Sequence, residues 1–212
     1  MGLEQAMTRR MFKLLTVLLP LLLLSACGGI RQSDKPGGAE RTFTSDAYGF
    51  AIAYPSDFAL QPDFSQSYLQ NGSWKTYAGP GSRGQPVAAL VLEGSNEVTD
   101  AELRIGVSRN AEAVSECTQP PQAFRKGSLE LGTVRLAGER FAAWKAADAA
   151  MSHYLQVHSY RAVHDGACYA IDLLVYGTNP KVYDPPRRPP FTQQQAFARL
   201  EAALKGFRFI RK

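Results

Sequence analysis

Asp165-Gly166 separates two long stretches of alternating character, Ser152 to His164 and Ala167 to Tyr176. A type I′ turn needs positive φ at both central residues, and Asp-Gly meets that demand, so the pair predicts a tight antiparallel hairpin. With these two residues as the turn, His164 faces Ala167, Arg161 faces Ala170 and Tyr160 faces Ile171. Side chains alternate along a strand, so Tyr169, Ile171, Leu173 and Val175 share one face with Tyr160 and Ala162, while Cys168, Ala170 and Asp172 share the other. Arg161 falls diagonal to Asp172, a pairing that matters only if it is desolvated. Leu129 to Leu136 and Phe141 to Ala146 alternate just upstream, so the region 128–177 predicts a continuous antiparallel meander.

The flanking segments extend that sheet. Thr42 to Thr44 and Tyr48 to Tyr54 read as extended, with Phe50, Ile52 and Tyr54 on one face and a turn at Pro55-Ser56-Asp57. Trp74 to Ala78 and Pro86 to Glu93 predict a hairpin across Gly79-Pro80-Gly81-Ser82-Arg83-Gly84. That loop fits GxGxxG, but a dinucleotide fingerprint needs a helix after its last glycine, and Val87 to Leu92 has strand character instead. Ala101 to Ser108 alternates, and Asn110 is a plausible N-cap for a short helix ending near Cys117. Thr192 with Gln195 makes a capping box for a helix whose Phe197, Leu200 and Leu204 form one apolar stripe. Gly206 stops it, and Phe207 to Ile210 returns as a strand.

The run Tyr48-Gly49-Phe50-Ala51-Ile52-Ala53-Tyr54-Pro55-Ser56-Asp57-Phe58 is similar to the opening of PsbP-like domains. There a Gly-Phe, an alternating strand, a Tyr-Pro turn and an aromatic residue follow one another, although many members carry Trp where Phe58 stands. Those domains often close on a helix and a Phe-rich strand, as Gly206-Phe207-Arg208-Phe209-Ile210 does here. The resemblance implies a single antiparallel sheet with helices packed against it. It implies no enzyme, because the best-known members are accessory proteins of photosynthetic membranes, and it carries over no functional residue. Periodicity and resemblance together predict an α+β domain over 41–212: one sheet of about six to eight strands, a short helix and a capped C-terminal helix.

The chain's beginning reads as an address. Arg9, Arg10 and Lys13 precede an apolar run from Leu14 to Leu24, and small residues follow before Cys27, the order of a secretory signal. Pro20 interrupts the run, which is shorter than the ~20 residues of a spanning helix. Leu24-Ser25-Ala26-Cys27 resembles the lipobox of bacterial lipoproteins, whose cysteine receives a diacylglyceryl group, is freed by cleavage and is then acylated on its new amino group. The resemblance implies a lipoprotein signal peptide over 1–26, a start at Met1, Met7 or Met11, and lipidation at Cys27. Several acyl chains on one residue hold a domain at a membrane where one chain is marginal. The alternative is an ordinary secreted protein with a chance cysteine. In enteric lipoproteins an Asp after the cysteine favours the inner membrane, and here Gly28 occupies that position, so the resemblance favours a periplasm-facing anchor in the outer membrane. Residues 27–40, rich in glycine and nearly devoid of apolar side chains after Ile30, read as a flexible tether.

With Cys27 lipidated, Cys117 and Cys168 remain as an even pair in an oxidising compartment, which favours a structural disulfide. A redox or metal pair is the alternative, without CxxC spacing to support it. If the disulfide forms, the helix ending at Cys117 covers the sheet face that carries Cys168. Cleavage removes three of 24 basic and one of 19 acidic residues, so the net charge of +5 falls to +3. That modest charge, in a compartment poor in nucleic acid, points to no nucleic-acid partner.

Candidates for chemistry are sparse. His153, His158 and His164 lie on one predicted strand, the last two on one face and the first on the other, which assembles no zinc site. No serine stands in a GxSxG elbow. Glu112 and Glu116 read as a solvated helix face. Trp74, Tyr77, Trp144, Tyr154 and Tyr160 read as sheet packing or as the lining of a ligand groove. The proline-rich segment 178–190 presents Arg187 and Arg188, either as a plain connector or as a contact for an acidic partner or lipid headgroups. The expectation is a membrane-anchored envelope lipoprotein with a non-catalytic binding or accessory role toward an envelope protein, using no cofactor or metal. The alternative is a small-ligand receptor or enzyme with an aromatic-lined pocket.

Overall fold

The computed structural model describes residues 39–121 and 129–210; the signal segment, Cys27 and the tether up to residue 38 lie outside them. Among the described residues, ten strands and two α-helices make an α+β fold. Strands β1 (Glu40–Ser45), β2 (Phe50–Pro55) and β10 (Phe207–Phe209) form one antiparallel sheet in the order β1-β2-β10. Strands β3 (Phe58–Gln61), β4 (Gln85–Leu92), β5 (Asp100–Ser108), β6 (Leu129–Leu136), β7 (Glu139–Ala150), β8 (His153–His164) and β9 (Ala167–Thr178) form the other, in the order β3-β4-β5-β9-β8-β7-β6.

The single sheet expected from the sequence is therefore two. Both edges of β2 are occupied, one by β1 from Glu40 to Ser45 and the other by β10, so it has no edge left for the larger sheet. The chain turns at Ser56-Asp57, and β3 pairs with β4 instead. The small sheet stacks face-on against the large one through aromatic contacts: Phe50 with Tyr169, Phe141 with Phe207, and His164 over Phe209 at 3.8 Å. These rings join Leu103, Ile105, Ile171 and Leu173 in the main core. Helix α2 (Gln193–Leu204) completes the cover, burying Phe197, Leu200 and Leu204. Its capping box is formed, with the Gln195 amide donating to Thr192 Oγ1 and the Thr192 amide donating to Gln195 Oε1. Gly206 follows, where a Cβ would lie 1.9 Å from the Ala53 carbonyl oxygen, so only glycine lets the chain turn so close to β2.

The meander from β6 to β9 has the expected register: His164 opposes Ala167, Arg161 opposes Ala170 and Tyr160 opposes Ile171. Asp165 and Gly166 both have positive φ, at 46° and 69°. The hairpin expected between Trp74–Ala78 and β4 is absent, because 74–78 is loop and β4 lies between β3 and β5. The loop runs instead over the second face of the large sheet. Trp74 is buried there against Gly84, and its backbone lies so close to β5 that a Cβ on Gly106 would sit 1.7 Å from the Trp74 carbonyl oxygen. Helix α1 (Ala111–Ser115), capped by the Asn110 side chain, covers the same face, and Cys117 and Cys168 are joined by a disulfide.

Under that loop the second face is polar and yet buried. Arg161 pairs with Asp172 at 2.8 Å, and Arg104 pairs with Glu102 at 2.8 Å, all four side chains being at most 2 % exposed. Asp172 also accepts from Ser159 Oγ and from the Thr76 amide, while Arg104 donates to the Ser65 carbonyl and to Gln70. A buried ion pair is tolerated when its remaining donors and acceptors are satisfied, and here the loop 62–84, Ser159 and the carbonyls of Tyr160 and Ile171 supply them.

Candidate functional site

The large sheet ends at a corner where β5 begins, β8 begins and β9 finishes. Two loops close over this corner, 65–69 from one side and 95–99 from the other, leaving a cavity of about 270 Å³. The second loop is tightly determined. Asn96 Oδ1 accepts from the amides of Val98 and Thr99, and the Asn96 amide donates to the Thr99 carbonyl. The turn lies directly on β9: the Thr178 amide donates to the Glu97 carbonyl, and a Cβ on Gly177 would lie 2.2 Å from the Val98 carbonyl oxygen. Gly177 therefore makes the approach that forms the wall.

Aromatic side chains line the cavity. Tyr68, 60 % exposed, stacks on His153 with ring centroids 4.8 Å apart and planes 15° from parallel. Tyr154 and Tyr176 stand further in, and their hydroxyls are engaged, the first donating to the Val98 carbonyl at 3.0 Å and the second to Glu102 Oε2 at 3.4 Å. Burial pushes both phenols above their ordinary pKa. His153 Nδ1 lies 3.2 Å from Thr178 Oγ1. These hydrogen bonds hold the rings in place.

Two carboxyl side chains, Glu97 and Asp100, belong to the lining. Asp100, at the first position of β5, has a buried Oδ1 with no hydrogen-bond partner among the described residues. Burial first, and then the charge of Glu102, hold the Asp100 carboxyl above the ordinary carboxylate range, against hydrogen bonds from Tyr176 and Ser95. The other acids nearby already have cations: Glu102 holds Arg104, and Glu97 at the rim holds Arg187.

Of the residues singled out by sequence, Tyr154 and His153 come to this cavity, and Arg187 touches its rim through Glu97 while stacking on Tyr183 at 4.2 Å. Arg188 is exposed on the same loop. Tyr77 and Trp144 border a separate hollow with Lys75 and Arg161, Trp74 packs between the sheet and its covering loop, and Tyr160 lies in the main core. His158 stacks on Phe197 and His164 on Phe209, apart from His153. Among the described residues, no three His, Cys, Asp or Glu side chains converge as metal ligands would. Asp100, Tyr68 and Gly177 carry no signal of their own in the sequence; Asp100 reads only as the residue before an alternating run.

No protein-family model matches the chain, and no curated protein matches it. Solved structures do. The chain is similar to a Bacteroides thetaiotaomicron protein at 10% identity and a TM-score of 0.42, covering 81% of this chain and 49% of that one, so it spans about half of that protein's length. It is similar to LpqN, described as involved in cell envelope biogenesis of Mycobacterium tuberculosis, at 9% identity and a TM-score of 0.42, over 82% of this chain and 86% of that one. It is also similar to the cyanobacterial PsbP (CyanoP) of Synechocystis, at 8% identity and a TM-score of 0.39, over 88% of this chain and 98% of that one.

Proposed function

We propose that this chain is a non-catalytic binding protein of the bacterial cell envelope, tethered through lipid on Cys27 and facing the periplasm from the outer membrane. The observation that carries the binding role is the corner cavity beside Asp100, where the hydroxyls of Tyr154 and Tyr176 are already committed to structural partners. Such a site is organised before its ligand arrives, which lowers the ordering cost of binding. The membrane role rests on the resemblance of Leu24-Ser25-Ala26-Cys27 to a lipobox. Among the described residues no helix is long and apolar enough to cross a membrane. On this reading residues 1–26 are removed, 27–40 lift the domain off the lipid, and the domain from 41 onward does the binding.

Two measurements test the two halves. Labelled palmitate should enter the wild-type chain and not Cys27→Ser, and the variant should leave the membrane fraction. Unchanged processing and membrane association in Cys27→Ser would remove the lipid anchor. A photo-crosslinking amino acid at Tyr68 should capture an envelope component in cells, where the same group at exposed Val163 does not. Equal capture from both positions would remove the cavity as the binding site.

A further inference from the structure

We infer that the corner cavity receives an organic ammonium ion, with Asp100 as its counter-charge and the tyrosine rings as its walls. The inference deepens the binding role proposed above and rests on it.

The argument begins with charge. Asp100 and Glu97 line the cavity and Glu102 stands near Asp100; Glu102 is paired with Arg104 at 2.8 Å and Glu97 with Arg187. Asp100 lines the cavity without an ion pair among the described residues, and the hydrogen bonds from Tyr176 and Ser95 and the charge of Arg104 offset its burial only in part. A carboxylate held partly out of water without a cation is costly, so the cavity favours a group that brings positive charge. Arg104 is too committed to Glu102 and the Ser65 carbonyl to serve.

The walls then select the kind of cation. Aromatic faces attract cations that shed water easily, and organic ammonium groups are the recurrent example. Tyr68, Tyr154 and Tyr176 supply such rings around one acid. A divalent metal ion would instead want about six oxygen ligands, and no cluster of acids or histidines provides them among the described residues. An anion would meet the Asp100 charge with Arg187 already held by Glu97. The volume of about 270 Å³ suits a small head group and lies at the lower end of ligand pockets.

Protonation gives an independent signature. The charged or titratable groups near Asp100 are Glu102 and Arg104 on its own strand, Glu97 with Arg187 at the rim, His153 and Tyr154 on β8, and Tyr176 on β9. The carboxyl is held above the ordinary carboxylate range, chiefly by burial, so acidification removes its charge earlier than that of an exposed acid.

The test is calorimetric titration of the full chain in detergent with choline and with 3,3-dimethylbutan-1-ol, which has the same shape without the charge. Choline should bind at least about tenfold more tightly. Asp100→Asn should erase that preference while leaving the alcohol's affinity within about threefold, and Tyr68→Ala should weaken both ligands. Choline affinity should fall as the pH is lowered through the Asp100 titration, and the alcohol's should not. Equal binding of the two ligands, both weakened by Tyr68→Ala, would overturn the ammonium inference and leave the cavity as a binding site. Failure of both ligands to bind at about 10 mM would overturn it as well, while crosslinking at Tyr68 would still decide the broader role.

Discussion

Asp172→Ala probes how the polar second face of the large sheet is held. Asp172 is 1 % exposed and accepts from Arg161 Nη2 at 3.0 Å, Ser159 Oγ at 2.6 Å and the Thr76 amide at 2.9 Å. Truncation leaves Arg161, itself 2 % exposed, without its counter-charge. Breaking a buried ion pair by removing one partner costs about 3–5 kcal/mol, and an orphaned buried amide adds about 1–3 kcal/mol. Two features reduce the total. Arg161 Nη1 keeps the carbonyls of Tyr160 and Ile171, and the guanidinium borders a hollow beside Trp144 that water can enter. The expected loss is about 4 kcal/mol, a large share of the roughly 5–15 kcal/mol that holds a domain folded.

The decisive comparison is Arg161→Met with Asp172→Leu together. That pair removes both charges and fills the space with apolar atoms, so the remaining cost is that of the Thr76 amide and the Ser159 hydroxyl, both of which Asp172→Ala orphans too, at about 1 kcal/mol each. Urea unfolding followed by tryptophan fluorescence suits the site, because Trp74 and Trp144 flank it and are the sequence's two tryptophans. A single-variant loss below about 1 kcal/mol, or a double variant no better than Asp172→Ala, would refute the claim that the pair is desolvated and coupled.

Two further outcomes follow from the same structure. The Cys117–Cys168 disulfide spans 51 residues, so Cys117→Ser with Cys168→Ser should cost about 4 kcal/mol in urea unfolding, and a shift below about 1 kcal/mol would contradict the chain-entropy account. His158 is held at a pKa of about 4, first by burial and then by Lys145; Glu201, 3.3 Å from Nδ1 and half exposed, does not offset this. Because the folded ring binds its proton more weakly than the unfolded one, this contribution is complete above the ordinary histidine value of 6.5 and is lost as the pH falls toward 4. Full linkage would amount to about 3 kcal/mol, and partial solvent access brings the expected change to about 1–2 kcal/mol; His158→Phe should flatten the slope between pH 6.5 and 4, and an unchanged slope would refute the assignment.

The parts of the fold legible in the sequence are those that local pattern determines. Asp165-Gly166 set the β8–β9 register because a turn of that type constrains the strands around it, and Thr192 with Gln195 marked the start of α2 because the cap is a contact between near neighbours. The diagonal from Arg161 to Asp172 was legible for the same reason, once the register was known. Where strands chose between distant partners, pattern was not enough. Phe58–Gln61 and Trp74–Ala78 both precede β4 in the sequence, and the outcome turned on Gly106, which lets the Trp74 backbone lie flat on the sheet, and on Gly84, which makes room for its indole ring.

The corner cavity belongs to that second kind. Its walls come from 65–69, 95–100, the start of β8 and the end of β9, and none of these four pieces has the periodicity of a site. What joins them is a backbone contact: Gly177 admits the Val98 carbonyl to a place that any side chain would occupy. Asp100 then becomes half-buried because the 95–99 turn is pressed against β9, and its raised pKa is a consequence of that turn's position and not of any motif around it. A glycine inside a strand, which reads in sequence as a weak point of the sheet, is here the residue that builds the pocket. The cavity and the sheet corner therefore stand on the same contact, and a side chain at Gly177 would open the wall and unpair the end of β9 in one step.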